Sequence, residues 1–399
     1  MSDASDYIVR PLSELATVEY GKSPNDVRDE NGAYPVYGTG GQVGYANSYL
    51  FEGDSIIVAR KGSLNKPAYV TDKYWVIDTA YSTQPKENID AKWLYYSISN
   101  FNLESLNEAT GVPSISRDFL YKTKFYCPDY PAQQKISKIL TTIDQLIDKT
   151  QALIDKHTAI KQGMMTDLFT RGIDLTTGQL RPHIEQAPHL YKETELGWIP
   201  KEWNIKRFED ITDILTCGVA ATPIYVDASQ GIPFLSAQNV NNGKVKLTRY
   251  SHIPVSIHKQ LTKYSKPQKG DILYSRVGAG FGEAAVVEFD WEFSVYVSLT
   301  LIRMKSGYDN YFYKYLLNTQ QVKNKASIDV FQGGGVPNLN VKVVREFNLP
   351  VPIFDEQKLI AEQLLSIDKK TDKERVYLNK LIAQKNGLMQ DLLTGRVAV

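Results

Sequence analysis

Residues 161–170, KQGMMTDLFT, return 224 positions later as residues 385–394, KNGLMQDLLT. The same displacement relates the Gly-Val-Pro sequence at 111–113 to its second occurrence at 335–337. Between residues 111 and 170 the two copies share 19 identities in 60 positions, whereas composition alone would give about four. The chain therefore contains an internal duplication, which decides how the rest of the sequence is divided.

Upstream of this region the copies still match, but the alignment needs gaps. Residues 34–37 (YPVY) correspond to 232–235 (IPFL), and residues 60–62 (RKG) correspond to 276–278 (RVG). Gaps of this kind are expected where loops differ in length. Two modules with a common skeleton and different loops suit the recognition of two different targets with one geometry.

A long helix is predicted at the end of each copy. Apolar residues recur at helical spacing from Pro131 to Leu168 and again after Asp355, and Gly172 and Gly395 lie where the helices should end. Forty residues form a rod of about 60 Å, which overshoots a domain whose radius of gyration is about 14 Å. We therefore expect the two helices to pair, although each could instead dock on its own domain. The predicted core of the pair consists of Ile136, Ile143, Ile147, Leu153, Ile154, Ile360, Leu364, Ile367, Leu378 and Leu381.

The segments that precede the helices are predicted to be mainly β-structure. Short β-branched and aromatic runs lie between Gly, Asp, Asn and Pro, with one short helix in each block at 92–99 and 310–318. The predicted fold class is α+β, with two β-rich domains separated by two long helices in a pseudo-two-fold internal repeat. The predicted boundaries are 1–130 for the first domain, 131–172 for the first helix, 173–197 for a linker, 198–352 for the second domain and 353–399 for the second helix.

The composition is that of a folded soluble protein, with 42% hydrophobic and 23% charged residues. No apolar run reaches the length of a membrane span, and the first residues lack the pattern of a signal peptide. Cys127 and Cys217 are the two cysteines, and their spacing fits neither a metal site nor a disulfide framework. We therefore expect a cytoplasmic protein.

The net charge of +1 would not by itself suggest a nucleic-acid partner. Residues 7–130 contain 12 basic and 15 acidic side chains, and residues 198–352 contain 18 basic and 13 acidic ones. Only the second block is basic, and only slightly. Binding to DNA must therefore rest on architecture and local clusters.

No motif for catalysis, a cofactor or a metal is found. The glycines at 278–282 lack the spacing of a phosphate loop, and His252 and His258 lack the spacing of metal ligands. The Gly-Val-Pro sequences are explained by tight turns that lead towards each helix. Methylase, helicase and nuclease motifs are also missing, so we expect a protein without catalytic activity, cofactor or metal.

The order of domain, helix, domain and helix resembles the specificity subunits of Type I restriction-modification systems over the whole chain. The resemblance is carried by ELGWIPKEW at 195–203, the two Gly-Val-Pro loops, PVPIFDEQ at 350–357 and GLMQDLLTGR at 387–396. The first copy departs from this pattern, because it lacks the Gly-Trp-Ile-Pro sequence and has Ala132 where the second copy has Glu356.

The resemblance implies target recognition domains at opposite ends of an antiparallel coiled coil, on which two methyltransferase subunits dock. It also implies double-stranded DNA and restriction (translocase/endonuclease) subunits as partners. Each domain would read a few base pairs in the major groove, and the helices would fix the distance between the half-sites. Because the domains differ in their loops, the target should be asymmetric and interrupted.

The candidate DNA-binding residues lie in Gly-flanked loops and carry guanidinium, ammonium, amide or hydroxyl groups that can reach phosphates or bases. Each could instead be ordinary solvated surface. Arg60 and Arg276 coincide between the copies, which suits a phosphate anchor or a structural pair with Asp54 and Asp271. The candidates are Tyr37, Thr39, Arg60, Lys61, Asn65 and Lys66 in the first domain, and Gln238, Asn239, Lys263, Arg276 and Gln332 in the second.

Two other classes of function stay open from the residues alone. One is a hydrolase or transferase with a site between the domains, and the other is a coiled-coil scaffold for protein partners without DNA.

Overall fold

The computed structural model describes residues 8–218, 224–278, 280–328 and 338–399. Its contacts divide the chain into two compact units. Unit 1 comprises Met1–Ile154 and Lys373–Val399, and unit 2 comprises Asp155–Asp372.

The helices of the described residues are α1 (Leu12–Leu15), α2 (Ala91–Asn100), α3 (Arg117–Lys122), α4 (Tyr130–Thr170), α5 (Val255–Leu261), α6 (Asn310–Leu317), α7 (Gln320–Ile328), α8 (Val341–Arg345) and α9 (Phe354–Leu393). The strands in the first half of the chain are β1 (Ile8–Pro11), β2 (Ala16–Tyr20), β3 (Tyr34–Gly38), β4 (Gly41–Ala46), β5 (Phe51–Glu52), β6 (Ser55–Ala59), β7 (Ala68–Val70), β8 (Lys73–Val76), β9 (Ala80–Pro85), β10 (Lys124–Cys127), β11 (Ile173–Asp174), β12 (Gln179–Leu180), β13 (Tyr191–Thr194) and β14 (Gly197–Pro200). Those in the second half are β15 (Asn204–Arg207), β16 (Thr212–Cys217), β17 (Gly231–Leu235), β18 (Val240–Asn241), β19 (Lys244–Val245), β20 (Ser251–Pro254), β21 (Ile272–Ser275), β22 (Ala284–Val286), β23 (Ser294–Val295), β24 (Leu299–Met304) and β25 (Asn348–Val351).

Unit 1 is built on two four-stranded sheets. One has the strand order β2-β9-β6-β7 and is antiparallel, and the other has the order β4-β3-β8-β5 with β3 and β8 parallel. β6 is buried along its whole length, so its continuous apolar run is explained by burial on both faces. The strands β1 and β10 pair beside these sheets, immediately before α4 begins.

Unit 2 repeats this plan. The order β16-β24-β21-β22 matches the first sheet of unit 1 strand for strand, and β17 pairs with β23 in parallel, as β3 does with β8. β15 and β25 pair before α9, as β1 and β10 do before α4. The predicted α+β fold with an internal repeat is confirmed.

Each short helix that the sequence predicted begins at an aspartate. Asp90 accepts a hydrogen bond from the backbone N–H of Trp93, and Asp309 accepts one from that of Phe312, both at 2.8 Å. These N-caps satisfy backbone donors at the start of α2 and α6. The capping residues are tied to the long helices, because Gln133 accepts from the backbone N–H of Asp90 and Gln357 from that of Asp309.

The long helices run antiparallel within unit 1. Ile136 and Leu140 of α4 belong to the same hydrophobic core as Met389 and the leucines at 392–393 of α9. One turn further along α4, Asp144 forms an ion pair with Lys385 of α9 (2.6 Å). As the residue number increases along α4, the number of the residue that it contacts on α9 decreases.

The corresponding pairing is found within unit 2. Lys161 of α4 and Asp368 of α9 form an ion pair at 2.6 Å, and the residues at 165 and 168–169 share a core with those at 360–361 and 364. Each of these two ion-paired residues lies 224 positions from its counterpart in the unit 1 pair. The duplication therefore produces the same Asp–Lys ion pair twice. In unit 1 the aspartate is on α4 and the lysine on α9, and in unit 2 the lysine is on α4 and the aspartate on α9.

Of the ten predicted core residues of the helix pair, seven are buried, two are half-buried and one is exposed. Leu153 is 43% exposed, whereas the adjacent Ile154 is buried. Consecutive residues of an α-helix point about 100° apart, so Ile154 takes the inward position and Leu153 faces solvent. The prediction for Leu153 is wrong. Ile136, Ile143, Ile360, Leu364, Ile367 and Leu381 are also buried, and Ile147 and Leu378 are half-buried.

Residues 173–197, expected to be a linker, are folded. They contain β11, β12 and β13, and Ile173 and Tyr191 are buried. The segment is joined to the first turn of α9 by an ion pair between Arg181 and Glu356 (2.6 Å), whose carboxylate also accepts from Trp203 Nε1 (3.1 Å). This buried cluster explains why the second copy has Glu356 where the first copy has Ala132.

Gly172 ends α4 against the same cluster. Its φ is +63°, and a Cβ at this position would lie 2.3 Å from Oε1 of Glu356. Both the backbone conformation and the space therefore require glycine.

Within the described part of the chain, no helix carries an apolar stretch long enough to cross a membrane.

Candidate nucleic-acid interface

Three loops of unit 1 meet where β3, β6 and β8 end. The backbone N–H of Ile77 donates to the carbonyl of Tyr37 (3.0 Å), and that of Arg60 donates to the carbonyl of Thr79 (2.9 Å). The segment after the Gly-Val-Pro sequence closes the group, because Ile115 N–H donates to the carbonyl of Arg60 (2.9 Å). We call this arrangement the unit 1 loop junction.

The unit 2 loop junction has the same backbone hydrogen bonds. Tyr296 N–H donates to the carbonyl of Leu235 (2.8 Å), and Arg276 N–H donates to that of Ser298 (3.0 Å). Leu339 N–H donates to the carbonyl of Arg276 (2.8 Å). Two loop clusters therefore share one framework while their outward side chains differ, which is the arrangement expected of two readers of different targets.

Thr39 and the loop after β6 lie side by side in unit 1. A Cβ added at Gly62, whose φ is +90°, would lie 3.7 Å from Oγ1 of Thr39. Lys61 is exposed on the same loop. The structure thus brings the loop that carries Lys61 beside Thr39, whereas the sequence could only place the two residues in separate loops.

Tyr37 lies at the edge of the same cluster. Its ring is half-buried against Tyr74, with centroids 6.3 Å apart, and it lines an open cleft of about 620 Å³ with Tyr69 and Lys73. Burial, with a smaller contribution from Tyr45, raises the pKa of Tyr37. Its hydroxyl therefore stays protonated at neutral pH and can donate a hydrogen bond.

The guanidinium group of Arg60 uses only some of its hydrogen-bond donors within the protein. One guanidinium nitrogen donates to the carbonyl of Asp78 (3.2 Å), and the guanidinium carbon lies 5.3 Å from the centroid of the Tyr20 ring. No ion pair joins Arg60 to Asp54 in the part of the chain that the structure describes. The structural pairing considered from the sequence is therefore wrong for Arg60.

Asn65 and Lys66 are exposed further along this loop. The amide of Asn65 donates to Asn102 (3.2 Å) and accepts from the backbone N–H of Glu104 (3.3 Å). Asn65 therefore holds the loop against residues 102–104, whereas Lys66 projects from it.

Arg276 is a structural residue, which corrects the prediction that it contacts DNA. Its side chain is buried and donates to the carbonyl of Leu339 (2.8 Å), the carbonyl of Val297 (3.2 Å) and the side chain of Asn338 (3.0 Å). Asp271, the partner considered from the sequence, pairs instead with Arg303 at 2.8 Å. An arginine that coincides between copies was compatible with both roles, and only burial distinguishes them.

Asn239 is likewise structural rather than a DNA contact. It is 1% exposed, accepts from the backbone N–H of Ser236 (3.0 Å), and donates to the carbonyls of Lys246 and Arg249 (both 2.8 Å). Both N–H donors of its amide are used within the protein, and its burial keeps the side chain away from a base. The neighbouring Gln238 is exposed on the turn that Asn239 fixes.

Of the two remaining candidate DNA-binding residues of unit 2, the structure describes Lys263 but not Gln332. Lys263 is exposed, with its ammonium 5.1 Å from the ring centroid of Tyr264, itself 84% exposed. Gln332 lies outside the described residues, as does the second Gly-Val-Pro sequence.

Two residues near the unit 1 loop junction were not predicted. Arg117 and Tyr20 lie beside Arg60, with the Arg117 guanidinium carbon 5.0 Å from the Tyr20 ring centroid. Burial raises the pKa of Tyr81, which packs edge-on against Tyr20, to about 12, and the two guanidinium groups act against that rise. No repeat or motif marks Arg117, since its counterpart in the second copy is Val341.

No group of His, Cys, Asp and Glu residues suited to holding a metal occurs among the residues described here.

Comparison with known proteins gives a consistent result. The family model described as "Type I restriction modification DNA specificity domain" matches residues 4–156 and 200–383. The Type I restriction enzyme MjaVIII specificity subunit of Methanocaldococcus jannaschii is 26% identical, with 99% of this chain and 93% of the relative covered. The EcoDI specificity subunit of Escherichia coli is 22% identical, with coverage of 97% and 87%.

A solved structure has the same fold. The S subunit of a Type I restriction-modification system from M. genitalium aligns with a TM-score of 0.67 at 16% sequence identity, and the alignment covers 98% of each chain.

Proposed function

The chain belongs to the family of Type I restriction-modification specificity subunits, and we propose that each of its two loop junctions reads one half of a bipartite, asymmetric DNA site. It performs no chemistry itself. It directs methyltransferase and restriction subunits in the cytoplasm to the DNA sequence that they modify or cut.

The observation that carries the proposal is the repetition of one loop framework with different side chains. The unit 1 loop junction presents Thr39, Lys61 and Arg60, and the unit 2 loop junction presents Gln238. Ammonium and guanidinium groups contact phosphates and guanine, and a glutamine amide can pair with adenine. Different side chains on one framework imply different half-sites within one type of docking.

The long helices set the distance between the half-sites in this proposal. Each helix contributes residues to both units, since the unit boundaries fall within α4 and within α9. A helix resists changes of length because every residue adds a fixed rise of 1.5 Å. The helices also offer the docking surface for two methyltransferase subunits. Membership in the family favours this function over a hydrolase, a transferase or a scaffold that does not bind DNA.

Sequencing of methylated DNA tests the proposal. The chain is expressed with the adenine methyltransferase subunit of its system in cells that lack other adenine methylation. We expect co-purification with two methyltransferase subunits and methylation at two short, unlike sequences separated by unspecified base pairs. A continuous motif, or methylation that does not depend on this chain, would contradict the proposal.

A further inference from the structure

Two arginines of unit 1 lie against one tyrosine ring. The guanidinium carbons of Arg60 and Arg117 are 5.3 and 5.0 Å from the centroid of Tyr20, within the range of a cation–π contact. The ring of Tyr20 is 44% exposed. Two positive charges therefore share one aromatic support at the surface of unit 1.

These charges are not neutralised within the described residues. No carboxylate there lies within ion-pair distance of Arg60 or Arg117, and Nε of Arg117 is buried without a hydrogen-bond partner. Like charges that are held close together repel each other, and an arginine surrounded by few acceptors keeps donors available. The two arginines lack the carboxylate partner that a purely structural cluster would contain, and their positive charge suits the binding of an anion.

The two arginines approach Tyr20 from different elements. Arg60 follows β6 and belongs to the unit 1 loop junction, whereas Arg117 is the first residue of α3. Both elements are fixed at this point, because Ile115 N–H donates to the carbonyl of Arg60 and Ser116 caps α3. The guanidinium groups are therefore preorganised rather than carried on a loose loop.

Unit 2 lacks this arrangement. The register of β16 and β24 places Cys217 and Thr300 where Tyr20 and Tyr81 stand in unit 1, and Val341 is the counterpart of Arg117. Arg276, which corresponds to Arg60, is buried and donates to protein acceptors. The pair of half-buried arginines without carboxylate partners is thus found in unit 1 and not among the described residues of unit 2.

We propose that Arg60, Arg117 and Tyr20 form a clamp for the phosphodiester backbone of DNA beside the half-site that unit 1 reads. Planar guanidinium groups match phosphate oxygens in a bidentate manner, and such contacts set the position of a protein on the duplex without reading its sequence. The clamp rests on the proposed function and goes beyond it, because it gives unit 1 a local phosphate contact although residues 7–130 carry more acidic than basic side chains.

The test measures binding of target DNA by the full chain with its methyltransferase subunits at several salt concentrations. Arg60→Gln and Arg117→Gln should each weaken binding to all sequences alike and reduce the salt slope by about one. The methylated sequence should stay unchanged. Arg117→Lys, which keeps the charge, should retain most of the slope.

Lys124→Gln is the matched control. Lys124 is exposed on β10, which pairs with β1 and not with the strands of the unit 1 loop junction, and its loss should leave the salt slope near that of the wild type. A thermal unfolding midpoint equal to that of the wild type shows that each variant is folded.

Several results would overturn the clamp. Wild-type salt slopes in both glutamine variants would exclude phosphate contacts, and altered methylated bases would make these arginines base readers. Tight binding of inorganic phosphate that both variants lose, with unchanged DNA affinity, would assign the site to free phosphate. A wild-type complex that binds no DNA would overturn the proposed function together with the clamp.

Discussion

Lys314 carries a charge into the interior of unit 2. Its side chain is 6% exposed, with Nζ 3.6 Å from a carboxylate oxygen of Asp368 and 3.7 Å from the ring centroid of Tyr315. Asp368 is already engaged by Lys161 and by the Tyr315 hydroxyl, each at 2.6 Å. Burial lowers the pKa of Lys314 to about 8, and Lys161 adds to this effect.

This lysine should make stability depend on pH. Between about pH 8 and its ordinary pKa of 10.5, Lys314 holds a proton in the unfolded chain that it has lost in the folded chain, so the contribution of Lys314 to stability rises with pH across this window. Lys314→Met should remove this contribution, so that stability at pH 10 relative to pH 7 is lower in the variant than in the wild type. It should also increase the free energy of unfolding at pH 7 by about 1 kcal/mol, because Asp368 keeps its other partners.

Urea unfolding at pH 7, 8.5 and 10 measures both effects. Lys342→Met, on an exposed lysine of α8, should leave the pH dependence as in the wild type. A rise that persists in Lys314→Met would show that another group causes it.

At the scale of residues, the sequence predicted which residues lie in the loop junctions better than it predicted what each side chain does there. Arg60 and Arg276 were found by their coincidence between copies, and both occupy the loop junctions. The sequence could not show that Arg276 is buried while Arg60 is partly exposed, because burial depends on which chain segments cover the loop. Arg117 and Tyr20 were missed because their meeting depends on tertiary contacts.

Among the elements, the start of α9 depends most clearly on one side chain. Glu356 is 2% exposed and binds Arg181 (2.6 Å), the backbone N–H of Ile173 (2.8 Å) and the indole of Trp203 (3.1 Å). Glu356→Ala would leave the buried N–H groups of Ile173 and Trp203 without their acceptor, and the buried guanidinium of Arg181 would keep only the exposed Glu202 as an ion-pair partner. Removal of one member of a buried ion pair costs about 3–5 kcal/mol.

Chemical denaturation of the variant should show this loss, and Glu362→Ala, on an exposed residue of the same helix, should change stability by less than about 0.5 kcal/mol. Hydrogen exchange should show the loss in residues 173–181 and in the first turns of α9. An unchanged stability in Glu356→Ala would mean that this buried cluster does not hold the segment to the helix.

The two long helices and the helices α2 and α6 before them could be predicted from the sequence, whereas helices of seven residues or fewer could not. The periodic stripes correctly indicated α4 and α9, whose observed bounds are Tyr130–Thr170 and Phe354–Leu393. Short helices such as α3 and α5 were not predicted, because six or seven residues carry too few apolar repeats to differ from a loop. The sequence predicts a linker at residues 173–197 because the contacts that fold them include Glu356, 159 or more positions away.

At the scale of the whole molecule, the duplication places the two ion pairs between the long helices at the same spacing in each helix. From Asp144 to Lys161, α4 advances 17 residues, and from Lys385 to Asp368, α9 goes back by the same number. An insertion in one helix alone would shift one ion pair relative to the other. A change in helix length therefore has to be made in both helices at matched positions.

Insertion of one heptad after Lys156 in α4 and one after Asp372 in α9 tests whether the helix pair sets the distance between the two half-sites. Seven residues add about 10 Å at 1.5 Å per residue, or roughly three base pairs at 3.4 Å each. Insertion in α4 alone is the control, and it should reduce stability and methylation. Sequencing of methylated DNA should show both half-sites unchanged and the gap longer by about three base pairs. An unchanged gap, or altered half-sites, would contradict the account of two DNA readers held apart by a pair of helices.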